Sequence, residues 1–274
     1  MNNIKSGRQS VFIFWLLGLF IIFQSGCATT NRAIPMTAEQ SEQLKSRLGA
    51  IAVVSASFTP KLEIQTPAKG ALGGAKAGAS AGAEATTKGS GDGRAILLAP
   101  FTAAVGGVAG AIMADSAKDV NEREAIIKKA IAELKTQETI RDSFLKTAQE
   151  KTKFQFVLEE GHGPITDGEL PDYRDMKEKG ITTIHEITVK QFGLKGEGKI
   201  NPDLSLYMIL QARLVNLANN AELFKNTFTY EGEKHKFAEW AANDAQLFRQ
   251  EFDRCYQSLA ENMMQGIYIL NTIK

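Results

Sequence analysis

A tract of glycine and alanine from Thr66 to Ala114 constrains this chain more than any other part of its sequence. In its first half a glycine recurs every fourth residue, at Gly70, Gly74, Gly78 and Gly82. At about 100° per residue, that spacing keeps the four glycines within one side of an α-helix. The polar residues of the segment fall on the opposite side. They are Lys69, Lys76, Ser80, Glu84 and Thr87. The first half therefore predicts a helix with one smooth face and one polar face.

The second half of the tract, Ala95 to Ala114, has twenty residues and no charge. Its small residues share one side of a helix and its bulky residues share the other. The small residues are Ala99, Ala103, Gly106, Gly107, Gly110 and Ala114, and the bulky ones are Leu97, Phe101, Val105, Val108 and Ile112. Helices with facing stripes of small residues bring their backbones close, which is how helices associate in lipid. We predict a helical hairpin with a turn at residues 88–94. Its helix-packing residues are Gly70, Gly74, Gly78, Gly82, Gly106 and Gly110.

A flexible linker is the alternative for this tract, because glycine costs about 1 kcal/mol relative to alanine inside a helix. Two features argue against it: the glycines are phased against the charges, and the second half is rich in large apolar residues. Twenty helical residues span about 30 Å, which is enough to cross a bilayer. The first helix would cross only if Lys69, Lys76 and Glu84 faced water or a partner. Whether the hairpin crosses a membrane or lies against it stays open.

The N-terminus predicts a secretion leader. Lys5 and Arg8 supply its positive end, and the thirteen apolar residues Val11–Phe23 are too few for a transmembrane helix. The run ends in Gln-Ser-Gly-Cys27, which resembles the lipobox of bacterial lipoproteins. The resemblance implies that Cys27 receives diacylglycerol and becomes the mature N-terminus. Gln24 departs from the aliphatic residue of that motif, and ordinary signal-peptidase cleavage nearby is the alternative.

Ala28, which follows the cysteine, and the small number of cysteines bear on where the protein resides and on its disulfides. By the same resemblance, Ala28 implies sorting to the outer membrane, with the protein facing the periplasm. Cys27 and Cys255 are the only cysteines, so lipid on Cys27 leaves Cys255 without an intrachain disulfide partner. We expect Cys255 to pack as a small apolar residue on a helix.

The net charge of +1 argues against a nucleic-acid surface, which normally carries a strong basic excess.

The rest of the chain alternates between strand and helix patterns, and its best local signal is the turn pair Asn219-Asn220 between two apolar alternating runs. The predicted strands are Leu48–Phe58, Phe154–Leu158, Thr182–Leu194, Leu204–Leu217 and Leu223–Tyr230. The predicted helices are Ser116–Lys151 with a break near Thr136–Thr139, the short Tyr173–Lys179, and a long amphipathic helix from Phe237 to Leu270.

This order predicts an α/β (α+β) fold, with a mixed sheet of about five strands covered by helices that include the long C-terminal one. The Gly/Ala-rich hairpin is inserted into that domain. The chain then divides into a signal peptide (1–26), a lipidated N-terminus and tether (27–47), a periplasmic α/β domain (48–65 and 115–274) and the glycine-zipper hairpin (66–114).

The element order resembles the periplasmic domain shared by the Tol-system N-terminal domain, the curli-export lipoprotein and related envelope lipoproteins. The likeness covers Leu48 to Ile273 apart from the glycine tract. Four local segments also resemble a family of uncharacterised proteobacterial lipoproteins. They are Ser-Phe-Thr-Pro60, Ala-Lys-Gly70, Ile-Asn-Pro202 and Phe-Ala-Glu-Trp-Ala241. The resemblance implies an envelope location and a fold, and it brings no catalytic residues.

Enzyme-like chemistry has one candidate stretch, Glu159-Glu-Gly-His162-Gly163, because a histidine beside carboxylates can act as an acid or a base. A solvated turn after a strand explains the same residues, and no second constellation accompanies it. The three histidines, His162, His185 and His235, have no spacing typical of a zinc site. The glycines at 193–198 lie between strands and do not open a helix, as a dinucleotide site requires.

Two classes of function remain. The first is a non-enzymatic lipoprotein of the cell envelope, with a partner-binding α/β domain and a hairpin seated on the membrane. The second is an oligomeric channel or secretion component, in which the faces of Lys69, Lys76 and Glu84 line an aqueous path. We expect no enzymatic activity, no metal, no cofactor and no nucleic acid. The expected contacts are membrane lipid, an envelope protein and other copies of the chain. Tyr230 and Trp240, at the entrance to the last helix, are expected to anchor the core.

Overall fold

The computed structural model describes residues 48–88 and 115–269, together with Glu39 and Leu44. Within these residues the strands are β1 (Ile51–Ser55), β2 (Lys61–Ile64), β3 (Phe156–Leu158), β4 (Thr183–Gly196), β5 (Asp203–Asn216) and β6 (Ala221–Lys236). The α-helices are α1 (Gly70–Lys88), α2 (Ala117–Ala132), α3 (Thr136–Lys151) and α4 (Phe237–Met264). A 3₁₀ helix spans Arg174–Lys179 and a π-helical turn spans Gln265–Ile269. The predicted mixed α/β class with a long C-terminal helix is confirmed.

The six strands form one mixed sheet in the order β3-β1-β4-β5-β6, with β2 also paired to β4. β1 is parallel to both β3 and β4, and β2 is parallel to β4, whereas β5 is antiparallel to both β4 and β6. β1 and β2 lie end to end along the same edge of β4, β1 against Thr183–Ile187 and β2 against Gln191–Leu194. The prediction of about five strands missed β2, because Lys-Leu-Glu-Ile is short and follows Pro60.

The β5–β6 hairpin forms around the predicted turn, where Asn220 adopts a left-handed conformation at φ 53°. β6 continues to Lys236, six residues beyond its predicted end at Tyr230. Its pairing with β5 shifts register close to Gly232. A Cβ at Gly232 would lie 2.1 Å from Oε1 of Glu251 on α4, so glycine makes room for that carboxylate.

Most of the core lies between the sheet and helices α2, α3 and α4. Alternate residues of β5 point into it, and all of them are fully buried. They are Leu204, Leu206, Met208, Leu210, Ala212 and Leu214. Leu44, which the sequence assigned to the tether, is 5% exposed and belongs to the same core. A smaller apolar cluster on the other face of the sheet lies under the segment 159–182 and contains Tyr173, Met176 and Ile184.

Helix α4 covers the sheet with a row of aromatic rings, as its apolar stripe predicted. Phe248 and Phe252 are 4.9 Å apart between ring centroids, and both are buried. Cys255 is also buried, with its Sγ 3.8 Å from the sulfur of Met208 on β5, so the expectation that it packs as an apolar residue is confirmed.

The long final helix is interrupted at one place. Asn243, Asp244 and Ala245 have left-handed backbone angles inside α4. Asparagine and aspartate tolerate that conformation better than most residues, but they also occur in ordinary helices, so the sequence pattern gave no sign of the turn. Residues on both sides, such as Trp240 and Phe248, stay fully buried.

The break between α2 and α3 comes slightly earlier than predicted. α2 ends at Ala132 and α3 begins at Thr136, so this threonine is the first residue of the second helix. Lys135 precedes the helix without a side-chain capping bond. At the other end of α2, Ser116 does cap the helix, because its Oγ accepts a bond of 3.1 Å from the backbone N–H of Asp119.

Candidate functional site

The two ends of the glycine-rich tract meet at one point on the domain. The backbone N–H of Gly70 donates to the carbonyl of Asp115 over 2.8 Å. Gly70 has a φ of +66°, which glycine adopts without strain. Residues 89–114 lie outside the described part of the chain, but these bonded ends already show where the segment between them leaves and rejoins the domain.

Charged side chains hold this junction to α2. The ammonium of Lys69 lies 2.7 Å from Oε2 of Glu124, and Lys128 lies 2.7 Å from the other oxygen of the same carboxylate. Hydrogen bonds from Lys128 and then Lys69 lower the pKa of Glu124 below its ordinary value. Arg123 also pairs with Asp115, at 2.6 Å.

The chain leading into the junction is tied to the loop between β4 and β5. The side-chain amide of Gln65 donates to the carbonyl of Gly198 over 2.6 Å and accepts from the N–H of Gly196 over 2.9 Å. The N–H of Ala68 donates to the carbonyl of Ile200 over 2.8 Å. The start of the tract is therefore fixed from two directions, by α2 and by this loop.

The first half of the tract is helical, as predicted, and α1 runs from Gly70 to Lys88. Gly74 is buried, whereas Lys76 on the predicted polar face is exposed. Leu72 is 71% exposed. The surroundings of the predicted packing residues Gly78 and Gly82 are outside the described structure, as are Gly106, Gly110 and the predicted lipidation residue Cys27. Their roles stay predictions. Across the described residues, no helix is both long and apolar enough to span a membrane.

The enzyme-like stretch forms a surface loop after β3. Nδ1 of His162 donates to the carbonyl of Glu160 over 2.8 Å, and Nε2 of the same ring lies 3.7 Å from a carboxylate oxygen of Asp175. Glu159 pairs with Lys179 at 2.6 Å. A Cβ at Gly163 would lie 1.9 Å from the carbonyl of Ser55, so glycine lets the loop cross the end of β1. These contacts are those of a solvated turn.

The other two histidines lie elsewhere. His185 is fully buried on β4, with Nδ1 3.1 Å from the hydroxyl of Tyr268 and its ring 4.2 Å from that of Phe144. Burial lowers the pKa of His185 to about 3. His235, at the end of β6, packs edge-on against Trp240. In the described ranges, no cluster of three or more histidine, cysteine, aspartate or glutamate side chains could hold a metal ion.

Two buried polar networks were not predicted. On the second face of the sheet, Oε2 of Glu186 accepts from Tyr173 and from Arg213, each over 2.6 Å, and thereby fastens the segment 159–182 to the strands. Under α4, Glu251 accepts a 2.5 Å bond from Tyr230. The indole of Trp240 donates to the carbonyl of Leu204 over 2.9 Å. Tyr230 and Trp240 are therefore core anchors, as the sequence suggested, whereas their polar partners had no sequence signal.

A side chain fills the gap between β1 and β2. The amide of Gln137, at the start of α3, donates to the carbonyls of Val189 and Phe58, over 3.1 and 3.2 Å. Its oxygen accepts from the N–H of Val189 over 2.8 Å. The amide of Gln137 therefore pairs with the backbone of Val189 as a neighbouring strand would, at the point where β1 has ended and β2 has not begun.

An open cavity of about 390 Å³ lies beside Gln137 at the carboxyl end of β1. Ser57, Phe58, Thr59, Leu134, Lys135 and Phe192 contribute to its lining. Parallel sheets commonly bind ligands at this end of their strands. The lining mixes hydroxyl, lysine and apolar groups, and it contains no histidine or cysteine.

No protein-family model matches the sequence, and no curated protein sequence matches it. Among solved structures, a PelC dodecamer from Paraburkholderia phytofirmans, a point variant, is 9% identical with a TM-score of 0.35, covering 89% of this chain and 98% of its own. Another PelC dodecamer from the same organism is 11% identical with a TM-score of 0.30, covering 88% and 96%. Lipoprotein GNA1162 from Neisseria meningitidis is 14% identical with a TM-score of 0.21, covering 78% and 99%. Superpositions this loose assign no function to the present chain.

Proposed function

We propose that this chain is a non-enzymatic lipoprotein of the cell envelope. Lipid on Cys27 anchors it in the outer membrane, its α/β domain faces the periplasm and binds a protein partner, and its glycine-rich hairpin seats on the membrane. The main support for lipid anchoring is the apolar leader that ends in Ser-Gly-Cys27.

The position of Leu44 supports a short anchor. Because Leu44 packs in the core, about 17 residues separate Cys27 from the folded domain. Even fully extended, they reach at most about 60 Å, so the domain stays close to the membrane surface.

The bonded ends of the tract support a hairpin that leaves the domain as one unit. Because Gly70 and Asp115 are hydrogen-bonded, the intervening residues can be removed or displaced without separating the flanking elements of the domain. Leu72, in the first turn of α1, gives this unit an exposed apolar side chain next to its base.

The partner-binding role has support on the loop between β3 and β4. Ile165 and Leu170 are 68% and 72% exposed there, five residues apart in the sequence. The acidic side chains of this segment are already engaged: Asp167 pairs with Lys190, Asp172 pairs with Arg174, and Glu169 accepts from the backbone N–H groups of Ile165 and Thr166. A partner with an apolar patch would fit this loop.

The channel alternative loses support at Lys69. Its ammonium is paired with Glu124 of the domain, which removes it from a face that would line an aqueous path. We therefore prefer an anchoring role for the hairpin. A conductance step in planar bilayers made with the purified full chain would reverse that preference.

Membrane fractionation of four forms of the chain tests the anchoring proposal. They are the wild type, Cys27→Ser, a deletion of residues 71–114 closed by a short Gly-Ser turn, and both changes together. We expect each single change to leave the protein in the membrane fraction and the combination to release it into the periplasm. Release by Cys27→Ser alone would remove the hairpin from the proposal, and retention of the combined form would show that another part of the chain binds the membrane.

A further inference from the structure

The strand β2 has a free edge. It pairs with β4 on one side, and no strand within the described residues pairs with its other side. Lys61, Leu62 and Glu63 are exposed, and Leu62 has 40% of its surface accessible. The helices that cover the rest of the sheet do not extend over this strand, since α2, α3 and α4 have their main contacts with one another and with the other strands.

The hydrogen bond between Gln65 and β4 shows which backbone groups of β2 point away from the sheet. The N–H of Gln65 donates to the carbonyl of Leu194 on β4 over 2.9 Å. In a parallel pair, alternate residues turn both of their backbone groups to the same neighbour. Lys61 and Glu63 therefore face β4, while the N–H and C=O of Leu62 and Ile64 point outward. The outward pair at Leu62 is unoccupied by any strand of the described chain.

The sequence of β2 is complementary to itself when reversed. An antiparallel copy centred on Leu62 puts Leu62 opposite Leu62, and Lys61 opposite Glu63 on both sides of the centre. Lys61 and Glu63 share one face, where their charged groups are 2.5 Å apart. A second copy would place each of these charges directly opposite a charge of the other sign, while the two leucines would cover each other on the opposite face.

We propose that β2 is a pairing surface for a second copy of this chain, joined antiparallel about a two-fold axis through Leu62. The backbone groups of Leu62 in each copy bond to those of the other. Such an isologous contact closes on itself and does not grow into a fibre. Pro60 limits its length, because proline has no N–H to give to the ladder.

The pair is small, so its occupancy depends on concentration. Anchoring two copies in one membrane raises their effective concentration, as linkage does for any weak contact. This inference goes beyond the proposed anchor and rests on it only for the local concentration of the chain.

Disulfide trapping with Leu62→Cys in the full chain, in its own membranes, tests the axis. Residues opposite each other in a bonded antiparallel pair have Cα atoms about 5.5 Å apart, within the range of a disulfide. Leu158→Cys, at a 38% exposed position on another edge strand, β3, is the matched control, and the native Cys255 is buried. We expect covalent dimer at position 62 at least tenfold above the control and the wild type. Equal trapping at positions 62 and 158 would overturn the proposal.

Charge reversal in the Leu62→Cys background tests the register. Lys61→Glu alone or Glu63→Lys alone places like charges opposite each other twice, which we expect to reduce trapping roughly tenfold. The double swap restores opposite charges and should restore trapping. If the double swap traps no better than either single change, the proposed register is wrong. Fatty-acid labelling of the same samples reports the anchor separately.

Discussion

Replacing Gln137 by leucine should destabilise the domain strongly, because three hydrogen bonds end on one side chain. Gln137 is 5% exposed and joins the N–H and C=O of Val189 and the carbonyl of Phe58. Leucine has a similar volume and leaves the buried N–H and C=O of Val189 without partners. Each unpaired buried group costs about 1–3 kcal/mol, so we expect a loss of roughly 3 kcal/mol in the free energy of unfolding.

Urea unfolding of the purified chain measures this loss. Trp240 reports on it, because the other tryptophan, Trp15, lies in the predicted leader. Glu138→Gln, at the next and exposed position, is the matched control and should change stability by less than about 0.5 kcal/mol. A loss below about 1 kcal/mol for Gln137→Leu would refute the strand-like role of this side chain.

Gln137→Glu separates hydrogen bonding from packing. At neutral pH a carboxylate would face the carbonyls of Val189 and Phe58 without a proton to donate, so the loss should be at least as large as with leucine. A protonated carboxyl can donate to one carbonyl, so lowering the pH toward 4 should reduce the difference between this variant and the wild type. A difference that does not shrink in acid would mean that the amide is held by packing alone.

Three further predictions follow from the core, the tract and the buried histidine. Phe252→Ala should lower the free energy of unfolding by about 3–5 kcal/mol, because this ring is 1% exposed and packs among aromatic neighbours. Gln257→Ala, at an exposed position of the same helix, is the control and should change it little. A loss below about 1 kcal/mol for Phe252→Ala would show that this face of the helix is not part of the core. Gly78→Leu should raise protease sensitivity of residues 66–114 in membranes whereas Ser80→Leu should not, because only the first blocks close helix contact; equal sensitivity would favour a linker. Finally, the pKa of His185 is lowered to about 3 from an ordinary 6.5, so between these pH values the unfolded chain binds a proton at this residue and the folded chain does not. The free energy of unfolding should therefore decrease as the pH drops from 6.5 toward 3, by up to about 1.4 kcal/mol per pH unit. Unfolding curves of His185→Phe should show a smaller decrease.

Local chemistry made several elements predictable from sequence. The turn at Asn219-Asn220 and the apolar stripe through Phe248 and Phe252 each act over a few residues, so the hairpin and the final helix were visible in the pattern. The four-residue spacing of glycines likewise predicted the helix α1. In each of these cases, the residues that determine the element are neighbours in the chain.

The parts that sequence missed depend on distant partners. β2 is stabilised by Gln191–Leu194, about 130 residues further along the chain, and by itself it is too short and polar to read as a strand. Gln137 is 52 residues from Val189, which it bonds. Glu186 and Arg213 are charged residues inside buried strands, where alternation predicts apolar ones, and only the fold brings them together.

The most direct test of the account is the chemistry of the mature N-terminus. Mass spectrometry of the protein extracted from its membrane should show a first residue of Cys27 carrying a diacylglyceryl group, and growth with a labelled fatty acid should label the wild type but not Cys27→Ser. A mature chain that begins at another residue and carries no lipid would contradict the proposal that this protein is an anchored envelope lipoprotein.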